Sequence, residues 1–150
     1  MHAVFDVRVR EPVEFVRAAL KHFDRDCFLS LEGDLSRFDS ALVPGASREP
    51  SALLRRNTIS PVLDFVILPV TAVTVDTICQ RVLPQVGLKQ HVIHAQVASE
   101  GRLVLGAFDS FHRGCVWIDQ RIGKDGIVSL LDSGVIGWYQ AREYEPSLSA

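Results

Sequence analysis

The chain has 150 residues, 47% of them hydrophobic and 23% charged, which suits one packed core and excludes the low-hydrophobicity, high-charge regime of disorder. Basic residues number 16 against 18 acidic ones, a net charge of −2, so there is no basic excess to neutralise a phosphate backbone and nucleic acid is not expected as a ligand. The three cysteines, Cys27, Cys79 and Cys115, are odd in number and lack CxxC spacing, which argues against a disulfide framework or structural zinc and for reduced thiols in the cytoplasm.

Phe5, Val7 and Val9 alternate with Asp6, Arg8 and Arg10, the period-2 pattern of a strand with one wet face rather than an apolar signal core. Pro12 then stands where a missing N–H costs a helix nothing. Val13, Val16, Leu20 and Phe23 recur behind it at helical spacing and predict an amphipathic helix over 12–23. Cys27, Leu29 and Leu31 alternate until Gly33 stops the pattern, which predicts a second strand. From 33 to 61 the periodicity fades, and Pro44, Gly45, Pro50 and Pro61 punctuate an irregular loop. A stretch of that length predicts a mobile excursion with a short helix around Ser51 to Arg56.

Val62 to Val70 is apolar apart from Asp64, which predicts a strand covered on both faces and central in the sheet. Val75, Ile78, Val82 and Val86 predict a second helix, with Thr74 as its cap and Pro84 and Gly87 at its end. Strands over 91–98 and 102–109 follow, joined by Ser99-Glu100-Gly101, and another runs from Cys115 to Asp119. Asp125-Gly126 reads either as a hairpin turn or as the cap of a short helix through Leu131 closed by Gly134; we take the helix. Ile136 to Tyr139 gives a last strand and 143–150 a loose tail. The order β-α-β-loop-β-α-β-β-β-α-β predicts a single α+β domain, a mixed and mainly antiparallel sheet with two to three helices packed on one face.

His91 and His94 have the spacing of a metal-binding pair only on a helix. On a strand, residues three apart point to opposite faces, so a hydrogen-bonded, partly buried His94 is expected and no metal. Asp109, His112 and Cys115 have the residue types of an orienting carboxylate, a base and a thiol nucleophile. A catalytic thiolate also needs surroundings that lower its pKa, and Cys115 opens the apolar run CVWI, where a cysteine packs as a small hydrophobe. A Cys115/His112/Asp109 hydrolase or transferase is therefore the alternative. Trp117, Trp138, Tyr139 and Tyr144 gather near Phe108 and Phe111, as core or as interface anchors. Glu32, Asp34, Asp39 and Glu49 form an exposed carboxylate set near the loop. Phosphate cradles, nucleophile elbows and HExxH helices are missing from the sequence, so no cofactor is expected. No apolar run approaches the ~20 residues of a membrane span, and no membrane partner is expected.

The block GRLVLGAFDSFHRGCVWI, followed by a polar gap and SLLDSGVIGWY, resembles the C-terminal half of small bacterial immunity proteins of polymorphic and contact-dependent toxin systems. The resemblance covers residues 90–139. It implies a cytoplasmic protein without chemistry of its own that neutralises a cognate protein toxin by occluding it. Phe108, Asp109, Phe111, His112 and Arg113 are then the expected contact residues. A net charge of −2 departs from the more acidic habit of nuclease inhibitors, which leaves the toxin class open and shifts weight from steering to aromatic anchors. A homodimer pairing through a sheet edge or the Trp117/Trp138 region is the third reading.

Overall fold

The computed structural model describes residues 2–144, with side chains through Glu143. The alternating N-terminal stretch forms β1 (His2–Val9), and α1 (Pro12–His22) follows at once, with Pro12 in its first turn. Phe15, Val16, Ala19 and Leu20 are its buried stripe, while Lys21 and His22 in the last turn suit the negative end of the helix dipole. After β2 (Cys27–Gly33) comes the long loop 34–63, which holds a 3-10 turn at Ser40–Leu42. Next come β3 (Asp64–Val70), a helical run, β4 (Val92–Ser99), β5 (Arg102–Ala107), β6 (Val116–Asp119), a 3-10 turn (Gln120–Ile122), α4 (Gly123–Asp132) and β7 (Ile136–Tyr144).

The helical run has three parts: α2 (Val75–Thr77), a π turn (Ile78–Val82) and α3 (Leu83–Val86). The π turn has a local cause. Pro84 lies inside the run, where its ring crowds the carbonyl four residues back. The helix widens just before it, and Leu83 N–H reaches the carbonyl of Ile78, five residues back. Pro84 therefore deforms this helix rather than ending it; the run continues to Val86, with Gly87 at φ 79 closing it. Thr74 does not cap it either. Its hydroxyl donates to Pro69 O at 2.6 Å and accepts from Thr71 N–H at 2.9 Å, bracing the turn after β3.

All seven strands join one sheet in the order β3-β2-β4-β5-β6-β1-β7, and every neighbouring pair is antiparallel. This is an α+β fold. The hairpin from β4 to β5 turns on Glu100 (φ 52) and Gly101 (φ 78), two left-handed residues in succession, the backbone that matches strand twist. α1, the α2-to-α3 run and α4 all pack on one face of the sheet, where Phe15, Leu20, Ile78, Leu83 and Ile127 meet Leu29, Leu31, Leu68 and Ile118 in one continuous core.

β3 is an edge strand, not the central one its apolar run predicts. Both its faces are nonetheless covered, because the loop folds over the second face. Leu54 packs there against Phe65, Ile67 and Ala98, while Ser47 exchanges two backbone hydrogen bonds with Ile67 along the outer edge, at 2.9 and 2.7 Å. A hydrophobic run thus reports how many faces are covered, not by what. The loop also sends Leu35, Phe38 and Val43 into the main core. In place of the short helix expected at 51–56 it has a serine-capped turn, in which Ser51 N–H donates to Leu54 O and Leu54 N–H to Ser51 Oγ. β7 runs through Tyr144, so residues 143 and 144 belong to a strand and not to the loose tail expected at 143–150; residues 145–150 lie outside the described residues.

Leu54 is the apolar plug that ties the loop to the sheet. Leu54→Ala should lower stability by about 2–5 kcal/mol in urea denaturation and speed tryptic cleavage at the neighbouring Arg55-Arg56. Unchanged cleavage would show that the loop is held without it.

Candidate functional site

The second face of the sheet divides into two halves. Over β3, β2 and β4 the loop is pinned by polar groups that the sheet presents to it. Leu29 and Leu31 face the helices, so Glu32 must face the other way. Its residue is 2% exposed, and its carboxylate accepts from the N–H groups of Asn57 at 2.7 Å and Thr58 at 3.3 Å. Glu32 therefore leaves the exposed carboxylate set expected from sequence. The strand alternation Cys27, Leu29, Leu31 already carries the signal, since it puts Glu32 beneath whatever covers that face.

His94 stands opposite Glu32 in the register. Its Nδ1 accepts from Asp109 N–H at 3.3 Å, so Nε2 carries the ring proton and donates to Thr58 Oγ1 at 2.8 Å. A histidine protonated on the side facing the hydroxyl cannot take a proton from it. The Thr58–His94 contact is consequently a tether between loop and sheet. His91 lies before β4, with its Nδ1 3.9 Å from Asp34 Oδ2. Among the described residues no group of three or more His, Cys, Asp or Glu is placed to hold a metal ion. Nor is any helix among them long and apolar enough to cross a membrane.

Beside His94, the chain between β5 and β6 makes a strained corner. Asp109, Ser110 and Phe111 have φ of 51, 59 and 62°, one left-handed turn without a glycine. Such a turn costs about 1–2 kcal/mol per residue and persists only where its surroundings over-determine it. Here Ser110 N–H donates to Ile93 O at 2.8 Å, His112 N–H bonds back to Asp109 O at 3.1 Å, and the Phe111 ring is buried in the core. Phe111, 5% exposed, is thus an anchor of the corner and not a contact residue. Its burial holds Asp109, His112 and Arg113 out in solvent, while Phe108 is half-buried against His94, with 5.7 Å between ring centroids.

Of the sequence-predicted thiol constellation, the corner brings two members together. Cys115 Sγ donates to Asp109 Oδ2 at 3.7 Å, while His112 turns its Nδ1 to the carbonyl of Arg113, at 2.8 Å. Desolvation, then the charge of Asp109 and the bond to it, push the Cys115 thiol up from its ordinary value. That is the direction opposite to nucleophile activation.

Leu103 of β5 still packs against the Leu54 cluster, but over β6, β1 and β7 no loop among the described residues lies on the second face. Gly106 leaves a gap that two rings fill: a Cβ there would lie 2.7 Å from Trp117 Nε1 and 2.8 Å from Phe108 Cε2. Trp117 stands opposite both Gly106 and Asp6, and Arg8, two residues along β1 from Asp6, stands opposite Trp138. Trp117 is half-buried and Trp138 is 42% exposed. Tyr139, on the other face, packs edge-on to Phe5 at 5.6 Å, and the Tyr144 side chain lies outside the described residues.

One end of this half-face is fixed by Asp119, 1% exposed. Its Oδ1 accepts from Arg121 N–H at 2.8 Å and Nε at 3.2 Å, and Oδ2 faces Arg102 at 3.0 Å and His2 at 3.2 Å. Burial alone would raise its pKa. The Arg121 N–H and the two guanidiniums more than offset that and hold it below the ordinary aspartate value. Only Asp119 and Arg121 are close in sequence; Arg102 and His2 come from two further stretches, so no short-range pattern marks the whole cluster.

The chain matches no protein-family model, no curated protein and no solved structure. A functional reading therefore rests on this geometry.

Two measurements check the electrostatics. A carboxylate with a lowered folded pKa contributes stability that is present above its unfolded value, near 3.8, and is lost as pH falls through the folded one. Asp119→Asn should accordingly cost about 1–3 kcal/mol at pH 7, with the gap to the parent closing below pH 3.8. A gap independent of pH would show that the charge is not what stabilises. For Cys115, Asp109→Asn keeps a residue that tolerates the left-handed backbone and should speed iodoacetamide alkylation at pH 8; an unchanged rate would leave desolvation as the whole cause of the raised thiol.

Proposed function

We propose that this chain is a non-catalytic protein-binding domain of the immunity type, a cytoplasmic inhibitor that neutralises a cognate toxin by covering it. The observation that supports this reading is the half of the second sheet face left bare among the described residues, which presents Trp117 opposite Asp6 and Trp138 opposite Arg8, two residues further along β1. Tryptophan and arginine are the residues that most often dominate binding energy at interfaces. A rigid strand framework holds them with little entropy left to lose on association. The 108–113 corner continues the surface, since Phe108 and Cys115 pair at the end of β5 and β6. The contact set is therefore Phe108, Asp109, His112 and Arg113 with Arg8, Trp117 and Trp138, and without the buried Phe111.

The chemistry of the partner follows from the charges. Arg8, Arg10 and Arg113 are exposed and make no ion pair with a carboxylate among the described residues, and the Arg10 guanidinium lies over Gly137 of β7. A complementary partner surface is acidic around an apolar centre. Co-expression with the product of the adjacent reading frame should yield a complex that Trp138→Ala weakens by about 30-fold, roughly 2 kcal/mol. A protein that stays monomeric and binds none of its genomic neighbours would defeat this reading.

One feature favours a second reading. β7 is an edge strand of nine residues, and among the described residues nothing pairs with its outer side. Such an edge can template a second copy, although exposed Arg142 and Glu143 are the charges that usually blunt one. Sedimentation over a range of concentrations separates the two: a dimer that tightens with concentration supports the homodimer, and a monomer throughout rejects it.

A further inference from the structure

The covered half of the second sheet face holds a cavity of about 370 Å³ between the sheet and the loop. Its interior is apolar: Ile67 and Ala98 come from β3 and β4, Phe28 from β2, and Leu54 from the loop. Phe28 is 37% exposed, while the other phenylalanines of the strands, Phe5 and Phe65, are buried. Two carboxylates, Asp26 and Glu49, lie among the lining residues, and no lysine or arginine does. Neither carboxylate has an ion-pair partner among the described residues. Both belong to well-defined turns. The Asp26 carbonyl accepts from Glu100 N–H, and Glu49 N–H donates to Ser47 Oγ at 3.2 Å, next to the bridge that fastens Ser47 to Ile67.

We propose that this cavity is a binding site for a small organic cation with an apolar body. The volume lies at the lower end of the range for small-molecule sites. The apolar walls take a hydrocarbon or aromatic body, and an open phenylalanine face adds attraction for an ammonium group. The two unneutralised carboxylates select the sign of the charge, because an anionic head would meet like charge while a neutral one would gain no ionic hydrogen bond. This site is on the opposite half of the face from the proposed protein contact, so the two stand or fall separately.

The test is calorimetric titration of the full chain with three probes that share one body: 2-phenylethylammonium, 2-phenylethanol and 3-phenylpropanoate. The ammonium should bind about ten-fold more tightly than the alcohol, with the carboxylate weakest. Asp26→Asn combined with Glu49→Gln should erase that preference without changing the melting temperature, since both side chains are exposed and Asn tolerates the left-handed backbone at position 26, φ 46. Ala98→Leu, which fills the floor, should abolish binding of all three, with folding checked by the same melting curve. Equal affinity for the three probes, no binding up to about 10 mM, a preference that survives removal of both carboxylates, or binding that survives in a folded Ala98→Leu protein would each overturn the proposal.

Discussion

A seven-stranded sheet has two faces to keep from water, and the three helical segments among the described residues cover only one. The structure depends on how the other is dealt with. The loop 34–63 takes half of it, and it can do so only because the sheet offers polar partners to an irregular backbone. Glu32 accepts two loop N–H groups, His94 reaches Thr58, and Leu54 supplies the apolar contact between them. An irregular segment laid over a sheet would otherwise bury donors without acceptors, at a cost comparable to what its apolar contacts gain.

The uncovered half is where charge and strain collect. Arg102 and Arg121 converge on the buried carboxylate of Asp119 at the end of β6, with His2 alongside. At the other end of that strand the chain turns through three left-handed residues held by the buried Phe111 ring and by Ile93 O. Both devices stiffen the frame around Trp117, and Gly106 gives the indole its seat by offering no side chain of its own. Ordering of that kind favours presentation of a surface to another macromolecule, which is the reason the functional proposal centres on this half.

Much of the secondary structure was legible because local chemistry forces it. The period-2 alternation of β1 and β2, Pro12 opening α1, the Glu100-Gly101 turn and a short helix closed by left-handed Gly134 follow from pleating, prolyl geometry and left-handed φ, although α4 begins at Gly123 and holds Asp125 inside its first turn rather than as its cap. His94 as a buried, hydrogen-bonded imidazole was legible too, since it lies on a strand, although His91, expected on the same strand, precedes it. Where local reading failed, a distant segment decided. The β3 run is apolar because the loop covers it, not because other strands flank it. Glu32 looked like a solvated charge until Asn57 and Thr58 arrive above it, and Phe111 looked like a contact residue until the left-handed corner turns its ring inward.

The sequence by itself determined the order and type of the elements, the α+β class and the residues of the 108–115 corner, because each of these is set by interactions among near neighbours along the chain. Only the tertiary structure decided which strand lies at the edge, which half of the second face stays bare among the described residues, and that three separate stretches meet at Asp119. Those outcomes depend on contacts between residues far apart in the chain, 117 positions for His2 and Asp119 and 136 for Asp6 and Arg142. Loop closure over such spans leaves no periodic trace in the sequence, so the surfaces on which a function can act emerge only when the chain is folded.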